Sequence, residues 1–179
     1  MMNEVPQLRT ARLLLRGFEE RDFNAYAAMM ADLEVTRFLG AGHPLTRDDA
    51  WHQFNMFVDH WVRCGFGVWA VEERVTAAFV GRVGCFEPEG WPGFEVSYTL
   101  ARPYWGRGFA REAAAAALAY AREVLGRERI ISIIRPANLA SIRVAAALGA
   151  TADGSVEFFG SPATIYTYAP GPDAGSRAQ

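Results

Sequence analysis

Lysine is absent from this chain of 179 residues, and all 18 side chains counted as lysine or arginine are arginines. A Walker-type phosphate loop needs a lysine, and so does Schiff-base or pyridoxal chemistry, so the sequence excludes these classes of function. No apolar run reaches about 18 residues, so we expect no membrane span. The first ten residues lack the basic-then-apolar pattern of a signal peptide, which predicts a cytoplasmic protein.

Cysteine and histidine are scarce, and neither has a spacing that suits a metal ion. Cys64 and Cys85 form no metal or redox motif, so each is expected to be a small buried side chain. His52 and His60 lie on one predicted helix but too far apart to share an ion, and His43 completes no catalytic triad. The sequence therefore predicts no bound metal.

Charge is distributed unevenly along the chain. The net charge of −2 gives the whole molecule no attraction for nucleic acid. Residues 102–143, however, contain eight arginines and only three acidic residues. Some of these arginines are expected on solvated helix faces, but the excess surrounds a glycine loop and favours an anionic ligand there.

The stretch EVSYTLARPYWGRGFAREA, residues 95–113, predicts a strand, a tight glycine loop and the start of a helix. Gly106 and Gly108 allow main-chain N–H groups to approach a ligand, and the helix N-terminus favours negative charge. We interpret the loop as a pyrophosphate site. A Rossmann dinucleotide site fits poorly, because Arg111 replaces its third glycine and Arg135 replaces the acid that follows its next strand.

The order of predicted elements indicates a mixed α/β (α+β) domain over residues 1–170, followed by a disordered tail at residues 171–179. Strands are expected at residues 8–17, 67–72, 77–86, 94–101, 130–134, 151–159 and 163–169, and helices at residues 19–32, 46–63, 109–125 and 138–148. The three middle strands should form an antiparallel meander, and a helix should cross over to the buried strand at residues 130–134.

Several motifs, found in order over residues 8–169, resemble the GNAT superfamily of acyl-CoA N-acyltransferases. They are TARLLLRGF, EVSYTL, YWGRGFAREA, the run Asn-Leu-Ala-Ser at residues 138–141 and the pair Leu148-Gly149. These features are most similar to the RimJ/RimL branch, which acetylates the N-termini of ribosomal proteins. The resemblance implies a mostly antiparallel sheet of about seven strands with about four helices, splayed between strands 4 and 5. Homodimers are common in this family, so a homodimer is also expected.

The resemblance implies that acetyl-CoA binds in the splay as a cosubstrate. The main chain of residues 98–100 would pair with the pantetheine arm, the amides of residues 106–110 would hold the pyrophosphate, and Asn138 would lie near the thiol. Many relatives have Gln or Arg where this chain has Trp105, so one contact to phosphate would be missing, and nearby arginines would compensate for it. The predicted cofactor-binding residues are Tyr98, Thr99, Leu100, Trp105, Gly106, Arg107, Gly108, Phe109, Ala110, Arg111, Asn138 and Arg143.

Acetyl transfer to an amine needs a neutral amine, a stabilised oxyanion and a proton for the leaving thiolate. Glu95 is the predicted base, directly or through a water, because it is an acid inside a strand and shares a face with Ser97 and Thr99. The alternative is that Glu95 pairs with an arginine or only positions the substrate. An amide on the splayed strand is expected to hold the oxyanion.

Ser141 is the predicted donor of a proton to the thiolate. Many GNAT enzymes use a tyrosine late in this helix, but residues 142–148 contain none. The RimJ/RimL branch is thought to use the serine of an Asn-x-x-Ser pattern, which Asn138 and Ser141 match. The alternative is that Ser141 only bonds its own helical turn.

The acceptor is expected to be a protein N-terminus or a small amine such as a polyamine, an amino acid or an aminoglycoside. Trp91, Glu87, Glu89 and the helix at residues 46–63 are expected to shape its binding site. A function from a different class is a non-catalytic acyl-CoA-binding module that senses the cofactor or docks a partner. The missing tyrosine and Trp105 motivate this second hypothesis.

Overall fold

A computed structural model describes residues 5–170 of the chain. Its eight strands are β1 (Leu8–Arg9), β2 (Leu13–Arg16), β3 (Val68–Glu73), β4 (Phe79–Phe86), β5 (Glu95–Leu100), β6 (Ile131–Ile134), β7 (Ala150–Phe158) and β8 (Ser161–Tyr168). They form one sheet in the order β1-β2-β3-β4-β5-β6-β8-β7. Only the β5–β6 pair is parallel among these strands, so the predicted mixed and mostly antiparallel sheet is confirmed.

Helices cover both faces of the sheet. They are α1 (Phe23–Met30), α2 (Leu33–Thr36), α3 (Arg47–Cys64), α4 (Phe109–Glu123) and α5 (Leu139–Ala147), with short 3-10 turns at Glu20–Asp22 and Arg102–Tyr104. Helix α4 packs on β4 and β5, and α1 and α3 pack on the opposite face of the sheet. The described part of the chain thus has one strand and one helix more than the sequence predicts.

The predicted strand over residues 8–17 is wrong, because these residues form the β1–β2 hairpin. The turn comes at Thr10, whose main-chain N–H and hydroxyl both donate to the carbonyl of Leu13, at 2.9 and 3.2 Å. From this turn Arg12 reaches α4, where its Nε donates to Glu112 at 2.7 Å. The hairpin is thereby attached to the helix that follows the glycine loop.

The ends of α3 follow the capping residues in its sequence. The hydroxyl of Thr46 accepts from the N–H of Asp49 at 3.1 Å, which satisfies a donor in the first turn. Gly65 follows the last turn with a left-handed φ of 73°, and its N–H donates to the carbonyl of Trp61. These caps explain why the helix starts and stops within a residue of its predicted bounds.

Strands β5 and β6 separate where they begin. Glu95 is opposite Ile131, and this is the single register pair that the described residues form between the two strands, although β5 continues to Leu100. The predicted splay between strands 4 and 5 of the sequence analysis lies here and is confirmed. It opens a space between two neighbouring strands near the middle of the sheet.

The side chains of β5 alternate between the two faces, as its sequence predicts. Val96 and Leu100 are buried in the cluster that contains α4. Glu95 and Thr99 are also buried, on the face that carries α1 and α3. A polar row therefore lies inside the protein at the splay.

Two further expectations from the sequence concern the bounds of the domain and the presence of a membrane span. The division into a domain at residues 1–170 and a disordered tail at residues 171–179 stays a prediction, and the tail lies outside the described residues. Among residues 5–170, no helix has both the length and the apolar character needed to cross a membrane.

Candidate active site

The glycine loop, residues 105–110, leads from β5 into the first turn of α4. Gly106 and Gly108 have φ values of 74° and 77°, a left-handed conformation that L-residues with a side chain rarely adopt. A Cβ at Gly106 would meet nothing within 4 Å, so the conformation and not the space requires glycine. Because α4 begins at Phe109, the N–H groups of its first turn lack carbonyl partners within the helix and can bind an anion.

Arg12 supports the loop from the β1–β2 hairpin. Its Nη1 donates to the carbonyl of Arg107 at 2.8 Å, while its Nε is held by Glu112. The guanidinium groups of Arg12 and Arg107 lie 4.7 and 4.4 Å from the centroid of the buried Phe109 ring. These contacts fix the loop against the sheet before any ligand binds.

A groove of about 730 Å³, the glycine-loop groove, runs from this loop to α5. Eleven of the twelve predicted cofactor-binding residues line it, namely Tyr98, Thr99, Leu100, Trp105, Gly106, Gly108, Phe109, Ala110, Arg111, Asn138 and Arg143. The structure does not bring the Arg107 side chain to the groove, because its guanidinium pairs with Glu73. The exposed arginines of its wall are Arg37, which pairs with Glu34 at 3.2 Å, and Arg111 and Arg143.

Trp105 has a structural contact that the sequence did not reveal. Its indole N–H donates to the carbonyl of Leu100 at 2.8 Å. The side chain therefore closes the end of β5 and occupies one carbonyl on the strand that was expected to pair with an extended ligand. The main chain of Tyr98 and Thr99 lies farther into the splay.

A second space, the central cavity, has a volume of about 380 Å³ and contains Glu95 in its wall. Glu95 is 7% exposed. Its Oε2 accepts from Nε1 of Trp91 at 2.7 Å, and its Oε1 accepts from the main-chain N–H of Ile133 at 3.3 Å. These two bonds hold the carboxyl group where β5 and β6 separate.

Burial raises the pKa of Glu95 above its ordinary value, because desolvation disfavours the carboxylate. The bonds from Trp91 and Ile133 and the positive charge of Arg82 oppose this increase. A raised pKa brings a carboxylate closer to the range in which it accepts protons efficiently at neutral pH. Glu95 forms no ion pair with any residue from 5 to 170, which weighs against its alternative role as an arginine partner.

Ser141 lies where the central cavity and the glycine-loop groove meet. Its N–H donates to Oδ1 of Asn138 at 3.2 Å, which caps α5, and its carbonyl accepts from the Tyr98 hydroxyl at 3.0 Å. Both bonds use main-chain atoms of Ser141. The Ser141 hydroxyl forms no hydrogen bond within the described residues. The two main-chain bonds therefore fix the position of Ser141 and leave its hydroxyl group available to a ligand.

The two spaces have a common wall. The residues that line both are Phe38, Leu39, Tyr98, Thr99, Asn138 and Ser141. One ligand in the groove and another in the cavity would therefore meet beside β5 and the start of α5. This arrangement suits a transfer between two bound molecules.

Sequence reasoning identified only part of the central cavity. Trp91 lines it, as do Gln53, Met56 and Phe57 of α3, and their role in shaping an acceptor site stays a prediction. Glu87 and Glu89 do not line it: Glu87 pairs with Arg127 at 3.3 Å, and Glu89 is exposed.

The missed part of the cavity comes from distant segments. Phe158 and Phe159 of the last hairpin, the loop at residues 38–43 and Arg82 of β4 contribute to its wall. Arg135 connects two of these segments by donating to the carbonyls of Gly40 and Phe158. Arg82 had a visible signal, since it is the one charged residue in the apolar strand AAFVGRVGCF. Across residues 5–170, no group of three or more His, Cys, Asp or Glu side chains is arranged to hold a metal ion.

The chain is similar to known acetyltransferases in sequence. A family model described as "Acetyltransferase (GNAT) domain" matches residues 12–151. The YkkB protein of Bacillus subtilis is 29% identical over 170 residues, which are 92% of this chain and 96% of YkkB. The FsC-acetyl coenzyme A-N(2)-transacetylase of Aspergillus fumigatus is 33% identical over 160 residues, 82% of this chain and 65% of that protein.

The fold is similar to that of solved acetyltransferase structures. An acetyltransferase from Agrobacterium tumefaciens has a TM-score of 0.83 and 30% identity, and the likeness covers 94% of this chain and 96% of that one. The ribosomal L7/L12 acetyltransferase RimL, in complex with coenzyme A, has a TM-score of 0.76 and 15% identity, covering 92% and 98% of the two chains. At 15% identity, the likeness to RimL shows the fold alone.

Proposed function

Because the chain belongs to the GNAT acetyltransferase family, we propose that it transfers an acetyl group from acetyl-CoA to a primary amine by direct attack in a ternary complex. The observation that supports this proposal most strongly is the common wall of the central cavity and the glycine-loop groove at Ser141. Acetyl-CoA supplies the activated acetyl group. The residues of this chain bind the two substrates, orient them and move two protons.

The glycine-loop groove fits acetyl-CoA. The left-handed Gly106 and Gly108 and the first turn of α4 present main-chain N–H groups suited to a pyrophosphate. Arg111 and Arg143 add positive charge to the wall. The main chain of Tyr98 and Thr99 is available to a pantetheine arm, since β6 has already separated from β5 at these residues.

Glu95 and Ser141 have complementary roles in this proposal. The acceptor attacks as a neutral amine, because an ammonium has no lone pair with which to attack, and Glu95 takes one proton from its nitrogen, directly or through a water, as the C–N bond forms. As the C–N bond forms and the C–S bond breaks, the Ser141 hydroxyl donates a proton to the departing sulfur. The amine proton remains on Glu95 until exchange with solvent restores both side chains.

The proposed acceptor is a protein N-terminus or a small amine. The Asn138–Ser141 pattern is what supports a relation to the RimJ/RimL branch. A homodimer and a cytoplasmic location stay predictions of the sequence.

Calorimetry with acetyl-CoA and thiol release with a panel of amines test the proposal together. Glu95→Gln should lower turnover by about 10²–10⁴-fold, the usual contribution of a general base, and leave acetyl-CoA affinity unchanged. The matched control is Glu89→Gln, because Glu89 is exposed and lies outside both spaces.

The outcomes separate the catalytic hypothesis from the sensor hypothesis. Acetyl-CoA binding without thiol release for any amine would favour the non-catalytic module. Equal rates for Glu95→Gln and the unmodified protein at every pH would remove Glu95 from the role of base. Failure to bind acetyl-CoA would contradict both hypotheses.

A further inference from the structure

Two buried arginines lie in one row across the sheet, and only one of them has a charged partner. Arg16 of β2 and Arg82 of β4 are both register partners of Ala70. Arg16 is 4% exposed and pairs with Asp22 and Glu72 at 2.7 and 2.8 Å. Arg82 is 8% exposed and forms no ion pair with any residue from 5 to 170. A buried charge without a partner destabilises a fold, so Arg82 needs another explanation.

The side chains that contact Arg82 are uncharged, and Glu95, the acid within reach of its charge, forms no ion pair with it. Its guanidinium carbon lies 5.0 Å from the centroid of the Phe57 ring, a contact that satisfies none of its N–H donors. The Arg82 side chain also donates a hydrogen bond to the Tyr26 phenol, but burial raises the pKa of this phenol to about 12, so Tyr26 is neutral at physiological pH and supplies no counter-charge. Nε of Arg82 is buried and has no hydrogen-bond partner within the described residues.

A second buried donor without a partner lies directly opposite. Thr99 is the register partner of Arg82 on β5, so the two side chains leave the same face of the sheet. Thr99 is 7% exposed, and its Oγ1 also has no hydrogen-bond partner in the described residues. Both residues line the central cavity, next to apolar side chains that include Met30, Phe57 and Phe86.

We propose that the acceptor is a small amine that carries a carboxylate, which Arg82 and Thr99 bind while Glu95 receives the amine. This inference rests on the proposed acetyl transfer and adds the chemical class of its acceptor. The planar guanidinium presents parallel N–H donors that match a carboxylate, and the Thr99 hydroxyl supplies a further donor. Binding the carboxylate would give Arg82 a directly bonded counter-charge, which no residue from 5 to 170 supplies through an ion pair.

The length of the acceptor follows from the positions of the two sites. Glu95 and Thr99 are four residues apart on β5, so their Cα atoms lie about 13 Å apart at the rise of an extended strand. The carbon chain between the amine and the carboxylate of the acceptor should therefore have a length that lets one end reach Glu95 while the other reaches Arg82 and Thr99. A cavity of about 380 Å³ is large enough for such a molecule.

The same charges disfavour polycationic acceptors. Glu95 is the only acid in the described wall of the central cavity, whereas Arg82 and Arg135 both contribute to it. A polyamine or an aminoglycoside would bring several positive charges to a site with a single carboxyl group. Repulsion at low dielectric would oppose its binding.

Binding measured without acetyl-CoA tests the inference independently of catalysis. The probes are glycine, β-alanine, γ-aminobutyrate, δ-aminovalerate and ε-aminocaproate, each compared by calorimetry with its methyl ester. We expect the best acid to bind about 10- to 100-fold more tightly than its ester, as for hydrogen bonds to a charged group, and affinity to pass through an optimum along the series.

Arg82→Met should remove the preference for the acid, whereas Arg63→Met should keep it because Arg63 is an exposed arginine on α3 away from the cavity. Melting temperature gives a second readout that does not depend on ligand. Arg82→Met should raise it by a few degrees, since the variant loses an unpaired buried charge. Arg16→Met should lower it, because this change leaves Asp22 buried without its arginine and leaves Glu72 with Arg21 alone.

Equal affinity for acids and esters would overturn the inference, as would an unchanged preference or a lowered melting temperature in Arg82→Met. Faster acetylation of spermidine, or of a peptide without carboxylates, than of every acid in the series would overturn it as well. These results are distinguishable from failure of the proposed function. Carboxylate-dependent binding without any acetyl transfer would contradict the catalytic role alone and leave the ligand class intact.

Discussion

The glycine-loop groove and the central cavity share a wall but are built in different ways. The groove uses main-chain atoms and short stretches of sequence, namely residues 98–111 and 137–147, with a contribution from residues 34–39. The cavity is lined by side chains from α1, α3, β4, β5, β6 and the β7–β8 hairpin. One site depends on backbone conformation and the other on how distant segments pack.

This difference explains why the two sites should respond differently to substitution. A ligand of constant structure, such as a pyrophosphate, is bound by amides whose positions require only glycine and a helix start. A variable acceptor needs side chains for recognition, and we propose that Glu95, Arg82 and Thr99, which line the cavity, supply them. Variants of the groove should change cofactor affinity, variants of the cavity should change acceptor use, and variants of the common wall should change the chemical step.

Among the substitutions that test this comparison, the largest effect is expected on turnover, from a change at the common wall. Ser141→Ala removes the proposed proton donor and should lower turnover by about 10²-fold or more, as for loss of a general acid. The cap of α5 uses the main-chain N–H of Ser141 and should survive, so both binding constants should stay unchanged. Steady-state kinetics measure turnover, and calorimetry measures the affinities for acetyl-CoA and the acceptor. The control is Ser155→Ala, at an exposed serine of β7. Full turnover in Ser141→Ala would leave this residue with only a structural role.

A glycine exchange separates the groove from the cavity. Gly106 and Gly126 have φ values of 74° and 64°, and a Cβ at either would meet nothing within 4 Å. Valine at either position should therefore strain the backbone by about 1–3 kcal/mol. Gly106→Val should weaken acetyl-CoA binding about tenfold or more, because it disturbs the loop amides.

Gly126→Val, beyond the other end of α4, should lose similar stability and keep its affinity for acetyl-CoA. Calorimetry and thermal melts on the two variants make the comparison. Equal affinities would show that the loop conformation does not contribute to binding.

A smaller effect is expected on the pH dependence of the protein's stability, through Glu95 in the central cavity. Since burial raises the folded-state pKa of Glu95, its contribution to stability is complete below the ordinary pKa and is lost as pH rises through the raised value. Glu95→Gln cannot ionise, so its melting temperature relative to the unmodified protein should increase from pH 4 to pH 8. Melts across this range, with Glu89→Gln as the control, measure the change. A difference that is constant or falls with pH would contradict the raised pKa.

The sequence predicted the groove well because its determinants are local. Glycines that require a left-handed φ, a helix start after them and the Asn138 cap all leave signals within a few residues. Alternation along β5 also placed Glu95 and Thr99 on one face correctly. The first hairpin was missed because the turn at Thr10 contains neither glycine nor proline, and side-chain and main-chain bonds to Leu13 form it instead.

The cavity was harder to predict because its residues meet only after the sheet has formed. Phe158 and Arg82 are far apart in sequence and in the strand order, and packing across the splay brings both to one wall. Arg82 resembles Glu95 in one respect, since each is a charge in a strand with apolar neighbours. The same argument that selected Glu95 from the sequence would have selected Arg82.

The central claim is that the two spaces hold their substrates at the same time and that the acetyl group passes directly between them. Initial rates measured over a matrix of acetyl-CoA and acceptor concentrations test it most directly. The account predicts double-reciprocal lines that intersect, and no release of CoA from acetyl-CoA until an acceptor is added. Parallel lines, together with a burst of CoA in the absence of acceptor, would indicate an acetylated enzyme and contradict it.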